Sequence, residues 1–559
     1  MFDIAQIPFS CFGSWLNISP VIAEKTHAED LHLVSHQTGL HPVLRLVPTD
    51  GHTRATTTIV ATPAQLTWQH PHGRVEAAFE DATTIRIRGE GLGLWVLASS
   101  ESLTPFSGTY FFRDPVDGSH VFTVYETGRR YRVTVLTGQT VETVGVQALG
   151  TAERGLHLGA GHAWEIAVEE FDNARPAYTP RADFAGVVRA AHERFSGFAR
   201  RVAGRGSSRD AAAELAAYVL WSATVRPAGF LNRHAVLMSK HWMDKVWSWD
   251  HCFNSIALAA GEPRLALDQF HLPFDHQDPG GALPDSVTHS EVLYNFVKPP
   301  VHGWALRHLR DRLPPLSRAD KELIYERLSR WTGFWLSARR APGQALPHYQ
   351  HGNDSGWDNA TTFDPARVIQ SADLAAFLLL QTRELAKLAR ELGDGQAADG
   401  WDAVCEQIRD AITGLWDGSR FTARNPETGH SWTSHSLLDL IPIVAGTELP
   451  RHIRDALAAH IQDHLTEYGL ATELPASPHY RPDGYWRGPI WAPATVLIED
   501  GLRRCGYTTL ADEISSRFRA LCEKSGFAEN FDALTGQGLR DRAYTWTASA
   551  YLILAAGQV

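Results

Sequence analysis

The chain has 559 residues, of which 44% are hydrophobic and 21% are charged, as in ordinary globular proteins. Single hydrophobic cores stop growing at about 250–300 residues, so this length predicts at least two folded units. The formal net charge of −11 argues against nucleic acid and anionic membranes as partners, because both require a basic surface.

The cysteines and the first residues of the chain bear on its cellular location. The five cysteines are scattered and show no CxxC spacing, which disfavours a disulfide framework and a structural zinc site. The first residues lack a basic stretch followed by an apolar one, and no apolar run reaches about 18 residues. We therefore expect a cytoplasmic protein.

The first 180 residues have the pattern of short β-strands. Residues 84–88 and 131–135 alternate apolar with polar side chains, while 93–97 and 120–125 are β-branched or aromatic and bounded by turn residues. Many short strands at regular spacing are typical of an antiparallel sandwich. We predict an N-terminal antiparallel β-sandwich-like domain over residues 1–180.

The pattern changes to a helical period after residue 180. We predict a helical linker over 181–214 and an all-α domain over 215–559, with room for about a dozen helices of average length. Apolar residues recur at i, i+3 and i+4 in 184–203, 211–225, 322–338, 371–392, 401–415, 453–464 and 511–525. Long polar loops lie between the helices, at 239–252, 273–304, 346–366, 471–493 and 526–545. A toroid of helix pairs would bring these loops to one face.

Asp358 is the first candidate for acid–base chemistry. It lies in the loop segment S-G-W-D-N at 355–359, between Trp357 and Asn359. Desolvation beside an indole raises the pKa of a carboxyl group and keeps it protonated at neutral pH, as a general acid requires. The alternative is that Asp358 is a helix N-cap.

Glu529 is the second candidate. It begins the segment E-N-F-D-A-L-T-G at 529–536, in a loop between an amphipathic helix and a terminal apolar helix that starts near Trp546. A single glutamate in a loop is more commonly a solvated surface residue, and this alternative stays open at this point.

Aromatic residues are concentrated in two other loops. Eighteen tryptophans are present, and Y-W-R-G-P-I-W at 485–491 and W-S-W-D at 247–250 lie in polar surroundings. Flat rings stack on the apolar face of a sugar, and Arg487 and Asp250 could bond its hydroxyls. The alternative is local packing with a capping aspartate.

Five motifs together resemble glycoside hydrolase family 63 and its relatives in the clan that holds the family 37 trehalases. They are W-x-W-D-x-x-F at 247–253, K-P-P-V-x-x-W at 298–304, S-G-W-D-N at 355–359, Y-W-R-G-P-I-W at 485–491 and E-N-F-D-x-x-T-G at 529–536. Each motif is weak alone, but five in the family's order over residues 235–550 form a specific signal.

The resemblance implies an (α/α)6-barrel catalytic domain behind the β-domain, with Asp358 as general acid and Glu529 as general base. It also implies a substrate-binding set, in which the first five residues line the subsite of the non-reducing sugar: Trp249, Asp250, Trp486, Arg487, Trp491, Phe253, Lys298, Trp304, Trp357, Asn359, Tyr485, Gly488 and Trp546.

Two positions depart from the family pattern. Lys298 stands where several relatives have Gln, and it either pairs with an anionic group of the substrate or forms a structural salt bridge. Phe531 stands where relatives often have Tyr, which removes one hydroxyl near the predicted base. These changes leave the reaction class unchanged and the substrate open.

The resulting hypothesis is an inverting glycosidase that acts on a small α-glucoside or α-mannoside, with no metal and no cofactor. Inversion requires the two carboxyl groups to lie about 6.5–9.5 Å apart, so that a water molecule fits between base and sugar. Three alternatives remain: a glycoside phosphorylase, a catalytically inactive carbohydrate-binding protein, and a glycosidase of another specificity on the same barrel. The sequence does not determine whether the chain forms a homo-oligomer.

Overall fold

The computed structural model describes residues 1–203 and 211–557, and its N-terminal part is built from antiparallel strands. In chain order the strands are Leu16–Ala23 (β1), Thr26–Ser35 (β2), His41–Asp50 (β3), Thr53–Arg54 (β4), Thr58–Ala61 (β5), Leu66–His70 (β6), Gly73–Asp81 (β7), Thr84–Glu90 (β8), Gly93–Ala98 (β9), Thr109–Arg113 (β10), His120–Val124 (β11), Arg129–Thr137 (β12), Thr140–Val144 (β13), Gly155–Leu158 (β14) and Trp164–Phe171 (β15).

The strands form two sheets that share one core. The first has the order β1-β2-β3-β9-β14-β13, with β4 paired to β3, and the second has the order β10-β11-β12-β15-β8-β7-β6-β5. Leu44 and Val96 of the first sheet lie in the same buried cluster as Ile87 and Tyr131 of the second. The predicted β-rich N-terminal region is confirmed. The alternation in β8 and β12 was informative because it directs every second side chain into this core.

The C-terminal part is helical. Its helices are Phe184–Val202 (α1), Ala211–Ala223 (α2), Asp250–Leu258 (α3), Pro263–His271 (α4), His302–Arg312 (α5), Arg318–Ser337 (α6), Ala372–Leu392 (α7), Gly395–Thr413 (α8), Arg451–Asp463 (α9), Ala492–Arg504 (α10), Thr508–Ser525 (α11) and Thr545–Ala556 (α12). A 3-10 segment, Leu437–Glu448, lies between α8 and α9. Part of the predicted linker, residues 204–210, lies outside the described residues.

Six segments of the helical part contact one another in a closed cycle. The order of contact is α3, α5, α7, Leu437–Glu448, α10, α12 and back to α3. Further helices contact five of the six members: α4 contacts α3, α6 and α8 contact α7, α9 contacts Leu437–Glu448, α11 contacts α10, and α2 contacts α12. The loops at the ends of the inner segments therefore surround a common axis.

Three inner helices differ from the sequence-based expectation. Asp250 and His302, expected in loops, lie in the first turns of α3 and α5, and α10 was not predicted as a helix. The helix α3 is buried almost all round, so its sequence lacks the polar stripe by which an amphipathic helix is recognised.

Across residues 1–203 and 211–557, none of the helices combines the length and the apolar character that crossing a lipid bilayer demands.

Candidate active site

Asp358 lies in a tight turn between two short 3-10 turns, Gly352–Ser355 and Thr361–Phe363. Ala360, and not Asp358, caps the second of them, so the capping role that the sequence left open is not the one found. Gly356 has a φ of +75°, and a Cβ atom there would lie 2.5 Å from the Trp249 ring. The turn is therefore pressed against the aromatic side chain that precedes α3.

Glu529 is buried, with 3% of its surface exposed, and is not the solvated residue of the alternative interpretation. Its backbone N–H donates to the carbonyl oxygen of Asp541 at 2.8 Å. Phe531, two residues further on, exchanges two backbone hydrogen bonds with Ile490, at 2.7 and 3.1 Å. The loop of Glu529 is thus joined directly to the aromatic loop at 485–491.

Asn359 joins the loop of Asp358 to the same aromatic loop. Its Oδ1 accepts from the Trp486 N–H at 3.0 Å, and its Nδ2 donates to the Gly484 carbonyl at 3.0 Å. Arg487 donates from Nε to the Asn359 carbonyl at 2.7 Å and pairs with Asp364 at 2.6 Å. Asn359 and Arg487, predicted to bind substrate, are engaged here in holding two loops together.

The backbone conformation at position 488 requires glycine. Its φ is +153°, and a Cβ atom would lie 2.2 Å from the carbonyl oxygen of Arg481. Its N–H donates to Thr472 Oγ1 at 3.1 Å. Only glycine permits this close approach of the chain.

The predicted aromatic residues meet in one wall. Trp486 stacks on Trp491 with centroids 4.1 Å apart and an angle of 5°, and Trp357 lies 4.5 Å from Trp486. Trp546 contacts Trp491 edge-on at 5.4 Å and Trp249 at 5.6 Å. Five tryptophans from four separate chain segments therefore line one side of the site, next to Asp358 and Glu529.

Phe253 and Trp304 are buried and contact the aromatic wall through Trp249. Their rings pack together at 5.3 Å, and the Trp304 indole N–H donates to Asp500 Oδ2 at 2.9 Å, within the helical core. Phe253 in turn contacts Trp249 at 6.0 Å. These two side chains support the aromatic wall from behind.

Three carboxyl groups at the site act on one another. Burial is the largest cause that raises the pKa of Asp250 and of Glu529 to about 8 each, and the charge of Asp358 contributes to both of these shifts. Burial also raises the pKa of Asp358, and the charge of Asp285 adds to the effect while Lys298 opposes it. The site thus favours protonated carboxyl groups at a pH at which exposed ones are ionised.

Lys298 is an internal cation. Its ammonium group is bound to Asp285 Oδ1 at 3.0 Å and donates to the Asn353 carbonyl at 3.0 Å. Burial disfavours its charged form, but the carboxylates of Asp285 and Asp358 outweigh burial and raise its pKa. Of the two roles left open by the sequence, the structure contains the salt bridge.

Sequence analysis missed two residues of the site. Tyr544 is buried before α12 and packs on Trp546 at 5.4 Å, and burial together with the charge of Glu529 raises the pKa of its hydroxyl. Asp285 contributes the partner of Lys298. The aromatic run Y-T-W at 544–546 could have indicated Tyr544, whereas nothing local distinguishes Asp285.

Among the described residues, side chains with metal-ligand spacing are Asp50, His70 and His72, which lie at the ends of β3 and β6 and in the turn after β6, and not among the carboxyl groups of the site.

Comparison with known proteins places residues 243–547 under a family model described as the mannosylglycerate hydrolase MGH1-like glycoside hydrolase domain. All five sequence motifs lie within this span. Mannosylglycerate hydrolase of Thermus thermophilus is 36% identical over 398 residues, which are 55% of this chain and 93% of that protein. Glucosylglycerate hydrolase of Mycolicibacterium hassiacum is 23% identical over 438 residues, 61% of this chain and 97% of that protein.

A solved structure resembles the whole chain, including the β-rich part. The crystal structure of a bacterial glucoamylase in complex with acarbose aligns with a TM-score of 0.64, covering 99% of this chain and 93% of that one at 10% identity. At this identity the likeness concerns the fold alone.

Proposed function

The chain belongs to the mannosylglycerate hydrolase MGH1-like family of glycoside hydrolases, and from this premise we propose that it hydrolyses a small α-glycoside with inversion at the anomeric carbon. The resemblance drawn from the five motifs is thereby confirmed at the level of the family. One observation supports the specific reaction most: Asp358 and Glu529 lie on separate loops, both joined by hydrogen bonds to the aromatic loop between them.

In this proposal Asp358 is the general acid. It donates its proton to the glycosidic oxygen as the bond to the anomeric carbon breaks. Its raised pKa, which results from burial and from Asp285, keeps the proton in place near neutral pH. The ammonium group of Lys298 would stabilise the carboxylate that remains on Asp358 after the proton has left, because its positive charge favours the ionised form.

Glu529 is the general base. It removes a proton from a water molecule that attacks the anomeric carbon from the opposite face, and it must be ionised to do so. Arg540 favours the ionised form by its charge, against burial and the charge of Asp541. The products are the free sugar of inverted configuration and the aglycone alcohol.

The closed cycle of six inner segments with outer partners is the arrangement expected of an (α/α)6 barrel, and we include that architecture in the proposal. It would place the loops of Asp250, Asp358, the aromatic wall and Glu529 around one end of the axis. This is where the loops of successive helix pairs converge.

The sugar would bind against the aromatic wall and Asp250. The Oδ2 atom of Asp250 is buried and has no hydrogen-bond partner among residues 1–203 and 211–557, so it can accept from a sugar hydroxyl. We propose an α-glucoside as substrate, with an α-mannoside as the second choice. Both sugars occur in the names of the two relatives.

The charges at the site favour an uncharged aglycone. Lys298, Arg487 and Arg540 are each already paired with an aspartate, at 3.0, 2.6 and 2.6 Å. Because these three cations are paired within the protein, they are not free to bind a carboxylate of the aglycone. A neutral α-glucoside is therefore expected to be cleaved at least as well as one that carries a carboxylate.

The test is a panel of neutral α-glucosides and α-mannosides together with glucosylglycerate and mannosylglycerate, in phosphate-free buffer. Hydrolysis of one of them, lost in both Asp358→Asn and Glu529→Gln, supports the proposal. Turnover that requires phosphate would indicate a phosphorylase. Binding without turnover in the wild-type protein would indicate a carbohydrate-binding protein.

A further inference from the structure

The N-terminal part of the chain is bound to a loop that reaches the site, here called the bridging loop and comprising residues 237–244. The ammonium group of Lys240 donates to Ser10 Oγ at 2.9 Å and to the Ser14 carbonyl at 2.5 Å. The Lys240 carbonyl accepts from Asn17 Nδ2 at 2.7 Å. All of these groups are buried, so they form one clamp on the middle of the bridging loop.

A second contact fixes the far end of the bridging loop. His36, which is 1% exposed, lies with Nε2 at 2.8 Å from Asn17 Nδ2 and with Nδ1 at 3.2 Å from Asp244 Oδ2. Asn17 thus contacts both the loop and the histidine that holds its end. Buried polar contacts of this kind specify one conformation, because every alternative leaves groups unpaired.

The bridging loop in turn binds Asp541. Ser239 Oγ donates to Asp541 Oδ2 at 2.5 Å, and His241 Nδ1 lies 3.2 Å from Oδ1. Asp541 is fully buried, and the N–H of Ala543 donates to the same carboxylate at 3.0 Å. Its carboxylate is therefore bound from both the loop and its own backbone.

Asp541 is the residue to which the backbone of Glu529 is bound, at 2.8 Å. Two further bonds run parallel to this one: Thr547 Oγ1 donates to the Ala528 carbonyl at 2.7 Å, and the Thr545 N–H donates to Met238 of the bridging loop at 2.8 Å. The chain of contacts therefore extends without a gap from Asn17 to Glu529.

We propose that the N-terminal part of the chain positions the catalytic base, acting through the bridging loop on Asp541 and through Asp541 on Glu529. This inference rests on the proposed function, because it takes Glu529 as the base. Ser239, His241 and Asp541 are then positioning residues that touch no substrate. The N-terminal part is a component of the catalytic unit and not an appended module.

Asp541 contributes charge as well as geometry. The charged groups that act on the carboxyl of Glu529 are Asp541, Arg540 and Asp358, and the charge of Glu529 in turn raises the pKa values of Tyr485 and Tyr544. The negative charge of Asp541 opposes the ionisation of Glu529. Removing that charge lowers the pKa of the base, so the rising limb of the pH profile moves to lower pH.

The first experiment compares His241→Ala with His241→Asn, and Asp541→Asn with the wild type, using the best substrate of the panel. Asn can donate from nearly the position of His Nδ1, so His241→Asn should keep kcat within about threefold, while His241→Ala lowers it about tenfold or more with KM unchanged. Asp541→Asn should move the rising limb of kcat/KM to lower pH, which a merely structural residue would not do.

The second experiment tests the contacts of Asn17 and Lys240, which lie farthest from Glu529 in this chain of contacts. Asn17→Ala and Lys240→Met break the clamp from opposite sides, and Thr49→Val removes a matched buried hydrogen bond to His157 elsewhere in the N-terminal part. We expect kcat to fall about tenfold for the first two, with the rising limb unmoved because the charge of Asp541 remains, and to be unchanged for Thr49→Val. In a double-mutant cycle, Asn17→Ala and Asp541→Asn should be less than additive.

The outcomes are distinguishable. If Glu529→Gln retains activity, the assignment of the base fails and this inference fails with it. If Glu529→Gln is inactive but Asn17→Ala and Lys240→Met keep the kcat of Thr49→Val, only the inference is overturned. Full additivity in the cycle overturns it as well, and Lys240→Met decides the question if Asn17→Ala does not fold.

Discussion

Replacing Glu529 with glutamine should stabilise the folded protein while it abolishes hydrolysis. The carboxyl of Glu529 is 3% exposed, and burial raises its pKa from 4.5 to about 8. Between these two values the folded state binds a proton that the unfolded chain has released. Stability therefore falls as pH rises through this window, and a neutral amide removes that loss.

The magnitude follows from the two pKa values. At pH 7 Glu529 is ionised in the unfolded chain but mostly protonated in the folded protein. This difference lowers the free energy of unfolding by about 3 kcal/mol at pH 7 and by about 1 kcal/mol at pH 5. The amide of glutamine offsets part of the gain, because an unpaired buried polar group costs about 1–3 kcal/mol. That cost is independent of pH, so the increase of about 2 kcal/mol between pH 5 and pH 7 is the diagnostic quantity.

The assay is thermal unfolding of wild type and Glu529→Gln in matched buffers from pH 5 to pH 8. The difference in Tm should grow by a few degrees over that range. Glu467→Gln, at an exposed glutamate, serves as the control and should show no such growth. A Tm difference for Glu529→Gln that stays constant with pH would refute the reasoning.

Three further predictions concern the site. Because the pKa of the base Glu529 is raised to about 8 and that of Asp358 is also raised, the bell-shaped profile of kcat/KM should have its rising limb well above pH 4.5 and its maximum above neutral pH; an optimum below pH 4 would contradict this. Asp358→Asn should lose several orders of magnitude with a natural α-glucoside but far less with an aryl glycoside whose leaving group needs no proton, and equal losses would argue against an acid role. Lys298→Met should destabilise the fold by about 3–5 kcal/mol because Asp285 stays buried and unpaired, and the double variant with Asp285→Asn should recover much of the loss. A substrate-binding lysine would instead change KM selectively for the glycerate substrates.

The sequence predicted those elements that have a local signature. The alternation in residues 131–135 belongs to a strand, Arg129–Thr137, and the amphipathic period of 371–392 corresponds to helix Ala372–Leu392. Both patterns arise because one face of the element is buried and the other is solvated. By contrast, Asp250–Leu258 is buried almost all round and has no such period, so its helix was missed.

The site was predictable in its residue types but not in its contacts. Asp358, Glu529 and the aromatic loop could be named from motifs, yet the bonds that join them connect residues far apart in the chain, such as Ile490 with Phe531. The partner of Arg487 is Asp364, and that pairing depends on how two loops fold against each other. No local pattern in a sequence encodes such a contact.

The most direct test of the central claim is proton NMR of the reaction from its first minute, with the α-glucoside that the panel identifies. An acid at Asp358 and a base at Glu529 on opposite faces of the sugar predict that β-glucose appears first and then mutarotates. If α-glucose appears first, the reaction proceeds with retention, Glu529 does not act as a base toward water, and the proposed mechanism is wrong.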